Sequence, residues 1–354
     1  MKQLICLLAL CLTACSAPPP AGVTVLTYGS PYAPTHPFSR ADIAWMKFVE
    51  QRSQGRLKIK PFWAGAVLSS DHSMIEVRHG VVDIGLITPI YARGGAHVLR
   101  TQAGFYGGVK SYQDQLTAYD CIAREFPDFS AETQGLKILA VQGGNFPGVL
   151  TRSRAVRSLA DFNGLRLRAP TELTPVLAEL GADPVNMPMG EVYSALAKGV
   201  IDGVVAPADA LQSMHFNEVA KNFSSVRFAR GAYPSRAISE KTWAKLSAEE
   251  RAVLDESRKV WEQAMLTEIT KAEAVGVKFG AANGITFLDF DAADQTKLDT
   301  LYNERAASEA ARLHTAEGTG DPIYRRMQAV IASINSGADP GCGKAPSAKA
   351  GSAS

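Results

Sequence analysis

The sequence predicts an α/β fold in two lobes, and three observations predict it. Strand and helix patterns alternate from residue 23 to about 89, and they do so again from 136 to about 207. Each block ends on the same phrase, "HGVVDIGLITP" at 79–89 and "KGVIDGVVAP" at 198–207. After Ser247 one helical pattern runs long enough to reach across both blocks.

The elements follow in order. "VTVLTY" is a β-branched strand, followed by the proline-broken loop "GSPYAPTHP". Ser39 and Asp42 form an N-cap and capping-box pattern ahead of "IAWMKFVEQR", with Ile43, Met46 and Val49 on one helical stripe and Gly55 as the stop. "LKIKPFW" alternates as a half-buried strand does. Ser70-Asp71 then caps a helix through "SMIEVRH", Gly80 ends it, and "VVDIGLIT" is a buried strand. The second block repeats the grammar with "LKILAVQ", "GVLTRS" and "LRLRAP", a helix from near Thr171 to Gly181, the short strand "PVNM", the helix "GEVYSALAK", Gly199 as its stop and the strand "VIDGVVA". The shared phrase is thus a helix stop, a turn and a buried strand, a wording that separate βα units can also reach by convergence. "SAEE" at 247–250 is a capping box, and Leu254, Trp261, Met265, Ile269 and Ala272 recur on one side to near Gly276. Two more helices, around "AADQTKLDTLYNERAASEAARL" and "DPIYRRMQAVIASIN", close the fold.

The amino-terminal "MKQLICLLALCLTA" carries one lysine, an apolar run from Leu4 to Leu12 and small residues before Cys15. This is the layout of a secretory signal over 1–14, too short to span a bilayer. "LTAC" at 12–15 resembles the lipobox of bacterial lipoproteins, which makes Cys15 the expected lipidation site and 15–22 a flexible leash to a membrane. A formal net charge of +2, with no basic block, argues against nucleic acid as a partner. In an oxidising envelope Cys121 and Cys342 could pair, or each could stand as a lone thiol, since Cys342 lies in a Gly/Ala/Ser-rich tail read as disordered.

No catalytic or cofactor signature is present. The six histidines lack paired zinc spacing, and there is no phosphate loop, G-x-S-x-G elbow or Cys-x-x-Cys, so neither metal nor cofactor is expected and the chain does not read as an enzyme. Asp83 and Asp202, one in each shared phrase, read as turn residues bonding local backbone rather than as a catalytic dyad. The sharper signal is "LRLRAPTEL" at 165–173. Alternation sets Arg166 and Arg168 on one face, with Arg168 at the carboxyl end of its strand beside a helix start, where an α/β sheet binds ligands and a guanidinium can clamp a carboxylate.

Three stretches, "VEQRSQGRLKIKPFWAGAVLSSDHSMIEVRHGVVDIGLIT", "SLADFNGLRLRAP" and "LGADPVNMPMGEVYSALAKGVIDGVVAP", resemble in order and spacing the DctP-type solute receptors of tripartite ATP-independent periplasmic (TRAP) transporters. The likeness covers about Val23 to Asn335. It implies a two-lobed, periplasmic-binding-protein-like fold with a ligand cleft between the lobes, crossing strands and one helix spanning both. The lobes would be 23–145 with 233–265 and 146–232 with 266–335, followed by a disordered tail over 336–354. The resemblance implies that Arg168 meets a ligand carboxylate, that Thr88, Ala206 and Pro207 look into the cleft, and that Tyr28, Asn145, Met189 and Tyr233 join them. It further implies a small organic acid anion as cargo, handed to the membrane subunits of a TRAP permease. The receptor would be periplasmic, meeting a membrane only through its lipid anchor. A ligand-presenting receptor for a sensor kinase or chemoreceptor, or an envelope lipoprotein with a vestigial cleft, would keep the same fold.

Two departures from the family pattern bear on the cargo. Ala206 stands where many members have asparagine, and Gly148 stands where some have a second arginine. Each loss removes a polar contact worth roughly 1 to 3 kcal/mol in a buried site, which points to a monocarboxylate with a less polar body, such as an aromatic acid.

Overall fold

The computed structural model of the chain describes residues 22–343; the leader, Cys15 and most of the leash, and residues 344–354, lie outside them. β1 (Thr24–Gly29), α1 (Pro37–Arg52), β2 (Leu57–Phe62), α2 (Ser73–His79) and β3 (Ile84–Leu86) open the first lobe. Helices α3 (His97–Thr101), α4 (Tyr112–Glu125) and α5 (Asp128–Glu132) lead to β4 (Leu136–Gln142). The chain then crosses to the second lobe for β5 (Gly148–Thr151), β6 (Arg166–Arg168), α6 (Thr174–Glu179), β7 (Asp183–Val185), α7 (Met189–Ala197), β8 (Gly203–Ala206), α8 (Ala210–Ser213) and β9 (Asn222–Ser224). It returns through β10 (Tyr233–Ser239) and α9 (Glu240–Lys245), and α10 (Ala248–Ala282) carries it back to β11 (Thr286–Leu288), α11 (Ala292–Arg312) and α12 (Asp321–Asn335).

The two sheets are built alike. The first has strand order β2-β1-β3-β10-β4 and the second β11-β9-β5-β8-β6-β7. In the first, β10 alone runs antiparallel to its neighbours; in the second, β5 does. Each of these strands follows directly on a crossing segment, 225–232 or 143–147, which is why each enters against the direction of the parallel strands beside it. The shared phrases end their helices as expected, with Gly80 and Gly199 in the left-handed region at φ +80° and +70°. Their aspartates do parallel work. Asp83 accepts from the Thr27 N–H at 2.8 Å, and Asp202 accepts from the Arg166 N–H at 2.8 Å, so each ties its turn to the neighbouring strand.

Helix α10 spans 35 residues, about 50 Å at 1.5 Å per residue. Trp261, Met265 and Ile269 are buried against the first lobe's core, while Gly276 and Gly280 lie against Ala208 and Leu211 of the second. It therefore runs well past Gly276, the expected end, because the glycines serve close approach to α8 rather than termination. The Ser247–Glu250 capping box that starts it forms as expected.

Other expectations are corrected. Ser39 and Asp42 do not cap α1, which begins at Pro37 with the His36 ring accepting from the Phe38 N–H at 3.2 Å. Both residues lie inside the helix and are fully buried, whereas Ile43 is exposed and Trp45 takes its place in the core. Ser70-Asp71 does not cap α2. That helix starts at Ser73, and Glu76 of its first turn accepts from the Ser69 N–H at 2.8 Å.

The carboxyl-terminal segment differs as well. α12 buries Ile323, Met327, Val330 and Ile331 in the first lobe's core, so part of the stretch assigned to the second lobe packs on the first. Residues 336–343 are described rather than disordered: Cys342 is joined to Cys121 of α4, with Cα atoms 4.9 Å apart. Arg326 fixes the same turn by binding Glu125 at 2.7 Å and donating to the Pro340 carbonyl at 2.9 Å.

Candidate functional site

The cleft forms where the carboxyl ends of β6 and β8 face the first lobe. Leu167 is buried in the second lobe's core and fixes β6. Arg166, at the strand's outer end, is exposed beside Asp183 at 3.3 Å. Arg168 on the same face is only 3 % exposed. Its Nε donates to the Met187 carbonyl at 3.0 Å, and one Nη donates to the Tyr91 hydroxyl of the opposite lobe at 2.5 Å. Among the described residues it makes no ion pair, so a buried cation stands in the cleft with no carboxylate in direct contact. That state is costly unless a ligand supplies the anion.

The expected helix start beyond Arg168 is a 3-10 turn, Thr171–Leu173. Its Thr171 hydroxyl donates across the cleft to the Ile90 carbonyl at 3.3 Å. The two lobes therefore touch at Tyr91–Arg168 and at Ile90–Thr171, which is a closed arrangement.

Of the residues expected here, Arg168, Asn145, Met189, Pro207 and Tyr233 do line the cavity. Three do not. Tyr28 is fully buried in the first lobe, donating to Asp42 at 2.6 Å. Thr88 turns its hydroxyl to the Ser70 carbonyl. Ala206 packs inside the second lobe, between the lining residues Val205 and Pro207. Alternation explains the last: on a strand end, neighbours face opposite ways.

The sequence reading missed an aromatic wall and three charged residues. Tyr32 stacks on His36 at 4.2 Å and Phe38 meets both edge-on, all at the cavity. Burial, then the Arg40 charge, lowers the His36 pKa to about 3, so the ring is neutral. Arg230, Glu172 and Asp209 also line the space. Burial raises the Glu172 carboxyl; burial first and then the Glu273 charge push Asp209 up to about 7. No local motif announces these three, because loops and a turn deliver them. For Arg230 the one available signal was a lone arginine in "FARGAYP", on the return crossing.

Two α/β lobes hinged by crossing segments, closed over a buried arginine that makes no ion pair and over an aromatic wall, define a receptor that holds a solute rather than transforms it. The chain belongs to the bacterial extracellular solute-binding proteins, family 7 (DctP), whose family model matches residues 29–311; it is a TRAP-type solute-binding protein of a non-enzymatic family. Among curated relatives it is 34 % identical over 152 residues to a solute-binding protein of Roseobacter denitrificans, an alignment covering 42 % of this chain and 46 % of that one. It is 27 % identical to the sialic acid-binding periplasmic protein SiaP of Vibrio cholerae, over 72 % of this chain and 80 % of SiaP. The fold is similar to a TRAP solute-binding protein of Rhodoferax ferrireducens solved with copurified benzoate, with TM-score 0.81 and 20 % identity over 89 % of this chain and 99 % of that one. A Bordetella bronchiseptica protein solved with bound mandelate gives TM-score 0.72 and 21 % identity over 88 % and 99 %.

Proposed function

We propose that this chain is a periplasmic receptor that closes on a small monocarboxylate with an apolar, preferably aromatic, body and delivers it to a TRAP permease. The observation that carries this reading is Arg168: buried, oriented by Met187 and Tyr91, and lacking an acidic partner. A carboxylate placed there would gain charge-assisted hydrogen bonds in a dry site. The body of such a ligand would lie among Tyr32, Phe38, Ile90, Met189 and Met214, which line the cavity. The cavity these residues enclose has room for several waters, and so for a small ligand. The benzoate and mandelate held by the two similar structures are of this kind. Because Arg168 and Tyr91 sit on opposite lobes, a ligand that engages both stabilises the closed form, the state offered to a permease. Lipidation at Cys15 would keep the receptor at the membrane.

The test is a thermal-shift screen of ligand-stripped protein against aromatic and aliphatic monocarboxylates, dicarboxylates and sugar acids. A rise in Tm confined to small monocarboxylates, and lost in Arg168→Ala, supports the reading. A response to sugar acids alone, or one untouched by Arg168→Ala, overturns it.

A further inference from the structure

Resting on that reading of the cleft, we propose that Arg230 is a second ligand anchor that selects monocarboxylates bearing another oxygen acceptor, a hydroxyl or keto group, over their plain counterparts. Arg230 lies on the return crossing, 225–232, and lines the cavity. Its guanidinium lies over Gly144 of the other crossing: a Cβ at residue 144 would stand 2.5 Å from its Nε and 2.7 Å from its Cζ. The glycine thus leaves the space that this side chain occupies.

The guanidinium is unanswered. Its Nε is buried with no hydrogen-bond partner, and among the described residues it forms neither a hydrogen bond nor an ion pair. Arg236, buried in the first lobe's core and only six positions away in sequence, is the opposite case. Its nitrogens are taken by Asp42, Gln142 and Ser235. A half-buried guanidinium whose Nε is shut off from water without an acceptor, at a cavity wall, is costly unless a ligand brings one.

The surrounding charge decides which kind of acceptor. Glu172 and Asp209 line the same cavity, and Arg230 pulls down the pKa of each against the upward push of burial. Its charge is therefore partly answered at a distance. Two buried acids already stand at this corner, so a second carboxylate would add another buried acid and a like charge wherever they ionise, whereas a hydroxyl or carbonyl oxygen would not. From the crossing, Arg230 also supplies a cation that Gly148 leaves absent on β5, so the cleft is more polar at this corner than its strand residues imply.

The experiment is calorimetric titration of the purified, ligand-stripped full chain with matched acids: benzoate and 3-hydroxybenzoate, phenylacetate and mandelate, butyrate and 2-oxobutyrate, with succinate as the dicarboxylate. The expected result is about tenfold or more tighter binding of the oxygenated member in at least one pair, the factor of one good hydrogen bond to a charged group. In Arg230→Met that ratio should fall to near one. Gly144→Ala, which displaces the guanidinium but keeps the charge, should lower it in the same direction and serves if Arg230→Met does not fold. The proposal is overturned by equal binding within every pair, by a preference that survives both variants, or by succinate binding more tightly than the monocarboxylates. Failure of every acid to bind would instead sink the carboxylate-receptor reading on which it rests.

Discussion

Asp42 and Arg236, 194 residues apart in sequence, form a two-pronged ion pair at 2.8 and 3.0 Å in which neither side chain has any exposed surface. Tyr28 and Trp261 complete the cage, donating to Asp42 at 2.6 and 2.7 Å, and the Arg236 guanidinium lies 4.4 Å from the Trp261 ring centre. The pair thereby clamps α1, β10 and α10 together at the root of the first lobe. Through Gln142, which accepts from Arg236 at 2.6 Å and donates to the Tyr233 hydroxyl at 3.1 Å, it also reaches the cleft.

Removing one member of such a pair leaves a buried charge uncompensated, which costs about 3–5 kcal/mol. Arg236→Met is expected to lose that much in chemical denaturation. A loss under about 1 kcal/mol would mean that the surrounding donors alone satisfy Asp42.

Tyr91 offers a separate test of closure. Its hydroxyl is the acceptor that Arg168 finds on the opposite lobe, so Tyr91→Phe removes a cross-lobe hydrogen bond while keeping the ring. A hydrogen bond to a charged group is worth about 1.5 kcal/mol or more, so ligand affinity should drop about tenfold or more, chiefly through faster release. Stopped-flow measurement of both rates decides it. Unchanged release would indicate that the carboxylate displaces Tyr91 from Arg168 rather than binding beside it.

How far the sequence led can be read from these residues. Arg168 was legible because strand alternation and a terminating proline fix both its face and its place at a strand end. The two-lobed fold and long helix were legible because helical and strand periods are local signals. Asp42 was misread as part of a cap because its partners are 194 and 219 residues away and nothing nearby in sequence reveals them. Tyr28 was placed in the cleft by family pattern, yet its hydroxyl serves that same buried acid. Arg230, Glu172 and Asp209 were missed for a further reason. Loops and turns bring them together, and their positions depend on how the two lobes meet rather than on any period.

Gly276 tests the junction of α10 with the second lobe. A Cβ there would collide with the Ala208 carbonyl and stand 2.8 Å from the Asp209 Cα, and these backbone atoms cannot yield as a side-chain tip can. Overpacking of this kind costs about 1–3 kcal/mol. In mid-helix, Gly→Ala would otherwise stabilise by close to 1 kcal/mol. Gly276→Ala should therefore lower Tm, whereas an exposed control on the same helix, Lys271→Ala, should leave it nearly unchanged. A rise in Tm for Gly276→Ala would show that α10 stands off from α8 in solution.

Asp209 gives the pH dependence. It is mostly buried, and Glu273, which accepts from the Ala208 and Asp209 N–H groups at 3.2 and 3.1 Å, is the like charge beside it. With its pKa near 7 in the folded chain, against roughly 4 unfolded, the native state keeps a proton that the unfolded state gives up. Stability is therefore undiminished by this group below about pH 4, falls as pH rises toward 7, and is flat beyond. Asp209→Asn cannot ionise and should escape the penalty: its Tm should match the parent near pH 4 and exceed it by a few degrees at pH 8. The same proton bears on binding, because a neutral Asp209 repels an incoming carboxylate less than an ionised one. The parent's affinity for an acid should weaken between pH 6 and 8, and that of Asp209→Asn should not. Parallel Tm curves for the two proteins across pH 4 to 8 would place the ionisation of Asp209 outside this window and remove both expectations together.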